Sequence, residues 1–170
     1  ETSFDMLNVK AALYAIERVQ EEKATEVPVM LSLTIADASG RILSGQTLEA
    51  CVNSVRHFKL LSIGLNCSLG AKEMQPFVKL LSEVCPFRVS AHPNAGLPNQ
   101  FGLYDQTPDI MLEMVQPMLE KSQLNIIGGC CGTSNEHIQR IAEFAKTATA
   151  RTLPAADFKT RLSGLEAVTI

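Results

Sequence analysis

The stretch "LNIIGGCCGTSNEHI" (residues 124–138) passes from an apolar run through a glycine-rich turn into the start of a helix. The continuous apolar run is typical of a strand that is buried on both faces. Thr133, with Glu136 three residues later, matches the capping box found where helices begin. The stretch therefore predicts a strand followed by a helix, with Cys130 and Cys131 side by side at the carboxyl end of the strand.

Three earlier stretches repeat this order. Their apolar runs cover residues 27–36, 60–67 and 87–94, at a spacing of roughly thirty residues, and each precedes apolar residues spaced as on one helix face. A helix over about residues 5–22 is expected before the first run, and Pro117 should kink or shorten the third helix. We predict an α/β fold of four parallel strands, each followed by a helix, with one helix in front. The sheet would be doubly wound or closed into a barrel. Because four strands cannot close a (β/α)8 TIM barrel, a barrel-type chain of this kind would be half of one.

Composition excludes several classes of function. The chain has 170 residues, enough for one domain with a sizeable core. With a net charge of −3, the chain lacks the excess of basic residues that is typical of nucleic-acid-binding proteins. No apolar run approaches the ~18 residues of a membrane span. Five cysteines at irregular spacing argue against a disulfide framework and for a reducing compartment. We expect a cytoplasmic protein that binds neither nucleic acid nor membranes.

Polar residues that could carry chemistry follow each predicted strand, where (β/α)8 barrels place their active sites. They are Asp37, Asn66, Cys67, His92, Asn94, Cys130 and Cys131. Cys67 and the Cys130–Cys131 pair end strands that would lie two apart on one barrel rim. Three thiolates meeting there would form most of a tetrahedral zinc shell and leave one position open, as catalytic zinc sites do. The flanking glycines allow the sharp backbone path that this requires.

The pattern alone leaves simpler interpretations open. Cysteine is often buried, so Cys67 taken alone indicates a packing role. The adjacent pair between glycines is as consistent with metal or redox chemistry as with a structural role. Cys51 and Cys85 are expected to be structural. His92 is expected to be neutral and hydrogen-bonded, and Asp37 to make a turn. The two remaining histidines, His57 and His137, are expected on helix surfaces.

Three motifs together resemble one family. "GLNCSLGA" (64–71), "AHPNAGLPNQFGLYD" (91–105) and "NIIGGCCGT" (125–133) are similar to the homocysteine S-methyltransferase domain, a zinc-dependent (β/α)8 barrel. The resemblance implies that the chain is the C-terminal half of that barrel. "DASGRILSGQTLEA" (37–50), together with the opening of the chain, resembles the cobalamin-dependent methionine synthase branch of the family.

The end of the chain implies a domain boundary. "RLSGLEAVTI" (161–170) resembles the entry into the pterin-binding, methyltetrahydrofolate domain that follows in that branch. We therefore expect residues 1–150 to form the half-barrel, and residues 151–170 to be a linker and the start of the pterin-binding domain. The cobalamin and methyltetrahydrofolate domains of a longer chain would be its partners.

The resemblance also implies the ligands of the metal. Cys67, Cys130 and Cys131 occupy the family's zinc-ligand positions, and the thiolate of L-homocysteine takes the fourth place. Asn94 occupies the position of a residue that can supply a side-chain oxygen to zinc when substrate is absent. Glu1 resembles the glutamate that receives the substrate amino group, and Asn66 is expected to line the same pocket with Asn94.

The mechanism that the resemblance implies is methyl transfer from methylcobalamin, bound by another domain, to homocysteine, which gives methionine. Zinc would remove the proton of a thiol that is mostly protonated at pH 7. Two alternatives stay open: a stand-alone methyltransferase that uses betaine or S-methylmethionine, and a non-catalytic zinc or thiol module. Half a barrel exposes open sheet edges, so the chain alone is expected to be inactive.

Overall fold

The computed structural model describes residues 2–170, so that Glu1 and its predicted contact with substrate lie outside the described residues. Five parallel strands form one sheet in the order β1-β2-β3-β4-β5. They are β1 Thr2–Ser3, β2 Met30–Leu33, β3 Ser62–Gly70, β4 Arg88–Asn94 and β5 Ile126–Ile127. A helix follows each strand: α1 Met6–Lys23, α2 Leu48–Val55, α3 Ala71–Val84, α4 Pro108–Glu120 and α5 Asn135–Ala145.

The strand order distinguishes between the two expected architectures. Neighbouring strands in the sheet are neighbours in the chain, whereas a doubly wound sheet reverses its order at a switch point. The α/β fold with a helix after every strand is confirmed, and it is consistent with part of a TIM barrel. Within residues 2–170 the barrel is not closed.

The strand count was wrong by one. Thr2–Ser3 pairs with Ser32 and Leu33 of β2, so that the first helix also belongs to a βα unit. A strand of this length has no apolar run that a pattern could detect. The helix expected at about residues 5–22 is observed as Met6–Lys23, and α4 ends at Glu120, within one turn of Pro117.

The predicted start of α5 was also wrong in detail. The N-cap is Ser134, and the reciprocal partner is His137, whose Nδ1 accepts a hydrogen bond from the Ser134 amide at 3.1 Å. The Thr133 hydroxyl instead donates to the Cys130 carbonyl at 2.7 Å. His137 is therefore buried rather than exposed on a helix surface, and His57 lies in a turn after α2.

The core lies between the sheet and the helices that cover it. Strand residues that are completely or almost completely buried pack against an equally buried helical set. These residues are Leu33, Ile63, Leu65, Val89 and Ala91 from the strands, and Leu48, Val52, Met74, Val78, Met111 and Val115 from the helices. Removing apolar surface from water contributes about 25 cal/mol of stability per Å², and this burial stabilises the sheet. No helix among residues 2–170 combines the length and apolar character that crossing a membrane requires.

The end of the chain contains regular structure that the sequence pattern did not predict. An antiparallel hairpin, β6 Arg161–Ser163 with β7 Ala167–Thr169, lies against α2. The Ser163 hydroxyl donates to the Ala50 carbonyl at 2.6 Å, and the Thr47 amide donates to the Leu165 carbonyl at 3.0 Å. The domain boundary near residue 150 stays a prediction.

A buried arginine attaches the end of the chain to α3. The Arg151 guanidinium donates to the carbonyls of Ser82, Cys85 and Phe87 at 2.8, 2.6 and 2.9 Å. These carbonyls lie at or just beyond the end of α3, where the last turn of a helix leaves acceptors unpaired. The side chain therefore satisfies acceptors that the helix itself cannot.

Substitution of Arg151 is expected to destabilise the fold. Arg151→Ala would leave these acceptors without their charged donor, and we expect unfolding to become easier by about 2–4 kcal/mol. Urea denaturation followed by circular dichroism measures this. Arg18→Ala is the control, because Arg18 makes only an exposed ion pair with Glu21 and should change stability by less than about 0.5 kcal/mol. Equal stability of the two variants would contradict the role assigned to Arg151.

Candidate metal centre

An irregularity late in β3 directs Cys67 toward the site. The pairing of β3 with β4 shifts register between Asn66 and Gly70. Cys67 and Ser68 have φ angles of 58° and 61°, in the left-handed region that residues with a Cβ seldom adopt. Such backbone strain costs of order 1 kcal/mol or more per residue and is concentrated at functional sites. The bulge turns the end of the strand, as bulges beside active sites do.

The adjacent cysteines are held in place by the neighbouring strand. Beyond Ile127, the Gly128 amide donates to the Ala91 carbonyl at 3.0 Å and the Cys130 amide to the Pro93 carbonyl at 2.9 Å. The Ala95 amide donates in return to the Cys131 carbonyl at 2.9 Å. The segment therefore follows β4 past the end of β5, and it brings both cysteines to the carboxyl end of the sheet.

The three sulfurs lie at distances that suit one tetrahedral metal ion. Sγ of Cys131 is 3.6 Å from Sγ of Cys67 and 4.0 Å from Sγ of Cys130, and all three lie within 4.8 Å of one another. Zinc–sulfur bonds of about 2.3 Å at tetrahedral angles place sulfurs about 3.8 Å apart. The cluster therefore fits zinc with only small adjustments, and three protein ligands leave one position open.

The environment of each sulfur changes its acidity. Burial raises the pKa of Cys67, but the Ser68 amide, the two neighbouring cysteines and the Asn94 side chain stabilise its thiolate, and its pKa is lowered overall. Burial raises the pKa of Cys130, and the charges of Cys67 and Cys131 raise it further. Thiolates held this close repel one another, so a cation bound between them would relieve the repulsion.

Asn94 lies beneath the cluster and is almost completely buried. Its Oδ1 accepts a hydrogen bond from the Cys131 amide at 3.1 Å. The side chain thus already supports two of the cysteines, and its amide oxygen is engaged by backbone rather than free. Its predicted role as a fourth ligand when substrate is absent stays a prediction.

A cavity of about 450 Å³ opens beside Cys130. Its polar lining includes Ser32, Asn66, Ser90 and His92, and the Ser32 hydroxyl donates to Oδ1 of Asn66 at 2.7 Å. Burial lowers the pKa of His92, so its imidazole is neutral at pH 7, as expected from the sequence. Asn66 therefore lies at the wall of a pocket next to the sulfurs, and its contact with substrate stays a prediction.

The remaining candidates take the structural roles expected of them. Asp37 lies in an exposed turn, where its carboxylate accepts the Ser39 amide at 2.8 Å; the Ser39 side chain and, after it, this amide lower the pKa of Asp37. Cys51 and Cys85 are buried in the core, and burial raises their pKa values to about 12 and about 11. Neither thiol is available for metal binding or redox chemistry at neutral pH.

Sequence reasoning missed two residues at this site. Ser32 orients Asn66 from the neighbouring strand, and Tyr104, in the loop after β4, packs against Gly132 next to the cysteine pair. The inward position of Ser32 is detectable in principle, because alternate residues of a strand share a face. Nothing in the sequence around Tyr104 distinguishes it from a surface tyrosine.

Fold and site together define a class of protein: a barrel-type βα sheet that carries, at the carboxyl ends of its strands, a three-cysteine cluster able to hold a metal ion. Comparison with known families identifies it more closely, because the model of the homocysteine S-methyltransferase family matches residues 1–145. The chain belongs to the homocysteine S-methyltransferase family. The family implies methyltransferase activity on homocysteine and dependence on zinc, and the three-cysteine group is able to bind a metal.

The support that Asn94 gives to the cysteines leads to a prediction. Asn94→Ala would leave the Cys131 amide without its acceptor and loosen the positions of two sulfurs, so zinc affinity should fall by about 10- to 100-fold. Competition with a chromophoric chelator measures the affinity. Asn53→Ala is the matched control, because Asn53 lies on α2 and its side chain donates a hydrogen bond to the Leu162 carbonyl of the hairpin. Unchanged affinity in Asn94→Ala would show that the backbone alone positions the cysteines.

Proposed function

We propose that this chain activates L-homocysteine for methylation to methionine, at a zinc ion held by Cys67, Cys130 and Cys131, with methylcobalamin on another domain as the methyl donor. The observation that carries the proposal is the spacing of the three sulfurs, which suits a tetrahedral ion with one position left open. Membership of the homocysteine S-methyltransferase family makes the homocysteine thiol the ligand for that position.

Zinc, when bound, would supply the Lewis acidity that makes an added thiol a nucleophile at neutral pH. The three cysteines hold the ion and set the net charge of the centre. Three thiolates exceed the charge of a divalent cation, which keeps the centre electron-rich toward a methyl group. The left-handed bend at Cys67 and the strand-like path of residues 128–131 fix the sulfurs before substrate arrives. This preorganisation avoids an entropic cost at the moment of reaction.

The cavity beside Cys130 is the proposed place for the amino-acid part of homocysteine. Asn66, held by Ser32, presents its amide to the cavity, and the neutral imidazole of His92 lines the same wall. Glu1 is proposed to receive the ammonium group and Asn94 to contact the substrate near the metal. A neutral His92 would not repel that ammonium group, which is consistent with this placement.

The choice of donor rests on resemblance. Residues 37–50 and 161–170 resemble the cobalamin-dependent branch, so we propose that domains binding cobalamin and methyltetrahydrofolate are the partners, in a cytoplasmic enzyme. Methylcobalamin on its own domain would supply a methyl group without its bonding electrons, and the homocysteine sulfur held beside Cys67, Cys130 and Cys131 would accept it with its own electron pair. Completion of the barrel by its other strands is proposed to be necessary for activity.

A comparison of methyl donors tests the proposal. The complete protein that contains these residues would be supplied with homocysteine and with methylcobalamin, betaine or S-methylmethionine, and methionine would be measured by mass spectrometry. We expect methionine from methylcobalamin only. Methionine from betaine or S-methylmethionine would show that the assigned donor is wrong. A protein that binds zinc but makes methionine from no donor would show that the proposed enzymatic activity is wrong.

A further inference from the structure

His92 and Asn66 lie next to each other on the wall of the cavity beside Cys130. They are register partners on the neighbouring strands β4 and β3, and both residues line the cavity. Neighbouring strands of a sheet lie about 4.8 Å apart. Two hydrogen-bond donors at such a separation are able to bind the two oxygens of one carboxylate group.

Both side chains keep a hydrogen-bond donor unpaired. Oδ1 of Asn66 accepts the Ser32 hydroxyl at 2.7 Å, whereas its Nδ2 amide group has no partner among residues 2–170. The half-buried imidazole of His92 makes no hydrogen bond within the same residues. An imidazole carries at least one N–H in every tautomer and protonation state. Because polar groups away from solvent are normally paired, two unpaired donors beside a cavity indicate a ligand with acceptor atoms.

The segment after β5 holds the imidazole ring in place. A Cβ added to Gly128 would lie 2.6 Å from Cδ2 and 3.1 Å from Nε2 of His92, so the ring packs directly on this glycine. The Gly128 amide is itself bound to the Ala91 carbonyl at 3.0 Å. A ring that is packed in this way loses little further conformational entropy when it binds a ligand.

The two donors lie at a suitable distance from the metal centre. Alternate residues of a strand share a face, so Asn94, whose Oδ1 accepts the Cys131 amide, follows His92 on the same face of β4. Two residues of a strand span about 6.6 Å. In homocysteine, four bonds separate the sulfur from the carboxylate carbon, a reach of about 5–6 Å when extended. A substrate whose sulfur lies at the cysteines therefore brings its carboxylate to the level of His92.

The rest of the cavity wall offers no stronger partner for a carboxylate. Within residues 2–170, no lysine, arginine, aspartate or glutamate lines the cavity. Hydrogen bonds from neutral donors to a carboxylate are charge-assisted, and they are roughly twice as strong as those between neutral groups. The adjacent donors of His92 and Asn66 are therefore the groups best placed to hold a carboxylate here.

We propose that His92 is a substrate-binding residue that selects thiols carrying an α-carboxylate. Its imidazole N–H donates to one carboxylate oxygen, and Nδ2 of Asn66 donates to the other. The inference rests on the proposed function, because it concerns homocysteine bound at the same centre. It adds the reason why an amino acid, rather than a simple aminothiol, is the substrate. His92 binds the carboxylate and takes no part in the transfer of the methyl group.

The test compares two thiols that differ only in the carboxylate. Homocysteine and 3-aminopropane-1-thiol, which has hydrogen in its place, are titrated into the zinc-loaded complete protein by isothermal titration calorimetry. His92→Phe keeps a planar ring against Gly128 but removes the N–H. It should weaken homocysteine binding by about 10- to 100-fold and change binding of the aminothiol by less than about 2-fold. His92→Gln restores a neutral donor and should recover part of the loss.

The control is His57→Phe, the same substitution at an exposed histidine in the turn after α2, which should change neither affinity. Zinc content and melting temperature are measured on every variant, and all are expected to match the wild type. Equal weakening of both thiols in His92→Phe, or unchanged homocysteine binding, overturns the inference and leaves the proposed function intact. A wild-type protein that holds zinc but binds no homocysteine overturns the proposed function, and this inference with it.

Discussion

Cys67→Ser is expected to weaken zinc binding by about 100-fold or more. Zinc held by four ligands in small protein sites is bound with roughly 10–16 kcal/mol, so each ligand accounts for about 3 kcal/mol. Loss of one thiolate therefore lowers the affinity by about 100-fold or more. Cys67 is only partly buried, so we expect the variant to fold normally. Zinc content after dialysis, measured by mass spectrometry, gives the result directly.

A matched substitution separates this effect from general damage. Cys85→Ala also removes a thiol, but Cys85 is completely buried and lies away from the cluster. It should cost stability while leaving zinc content at the wild-type level. If Cys67→Ser kept its zinc, or if Cys85→Ala lost it, the assignment of the metal to the three-cysteine cluster would be wrong.

Gly64→Ala is expected to destabilise the fold strongly. A Cβ at Gly64 would lie 2.0 Å from both the carbonyl oxygen and the hydroxyl of Ser90, its partner on β4. The carbonyl belongs to the backbone, so no side-chain rotation relieves the overlap, and the two central strands must separate. We expect a loss of about 3 kcal/mol. For a chain of this size the melting temperature would fall by about 6–12 °C.

Gly164→Ala provides the comparison for this prediction. Gly164 lies in the turn between β6 and β7, and an added Cβ there meets no atom within 4 Å. Its replacement should change the free energy of unfolding by less than about 0.5 kcal/mol. Differential scanning calorimetry on both variants would decide the point, and a Gly64→Ala protein that melted within about 2 °C of wild type would contradict the tight pairing of β3 with β4.

The sequence predicted the parts of the fold that carry long apolar patterns. Four βα units were recognised because their strands are continuous hydrophobic runs and their helices have one apolar face. The strand Thr2–Ser3 was missed because it pairs with β2, which is distant in the chain, and the final hairpin was missed because each of its strands is only 3 residues long. At α5 the sequence indicated Thr133 as the cap, but the Thr133 hydroxyl donates to the Cys130 carbonyl and Ser134 is the N-cap.

At the candidate site, too, some features could be predicted from the sequence and others could not. The three cysteines were predicted to converge from their positions after strands of a parallel sheet, and the structure brings their sulfurs together. The left-handed backbone at Cys67 and Ser68 could not be predicted, because neither residue is a glycine or asparagine. The contacts of Tyr104 depend on how the loop after β4 folds over Gly132, which no local pattern encodes.

The central claim is that the three cysteines hold zinc and leave one position for the homocysteine thiol. X-ray absorption at the zinc edge, on the reduced complete protein with and without homocysteine, counts the sulfur neighbours directly. We predict about three sulfurs at about 2.3 Å without homocysteine and about four with it. A count that does not rise when homocysteine is added, or zinc bound mainly by oxygen and nitrogen, would contradict the account.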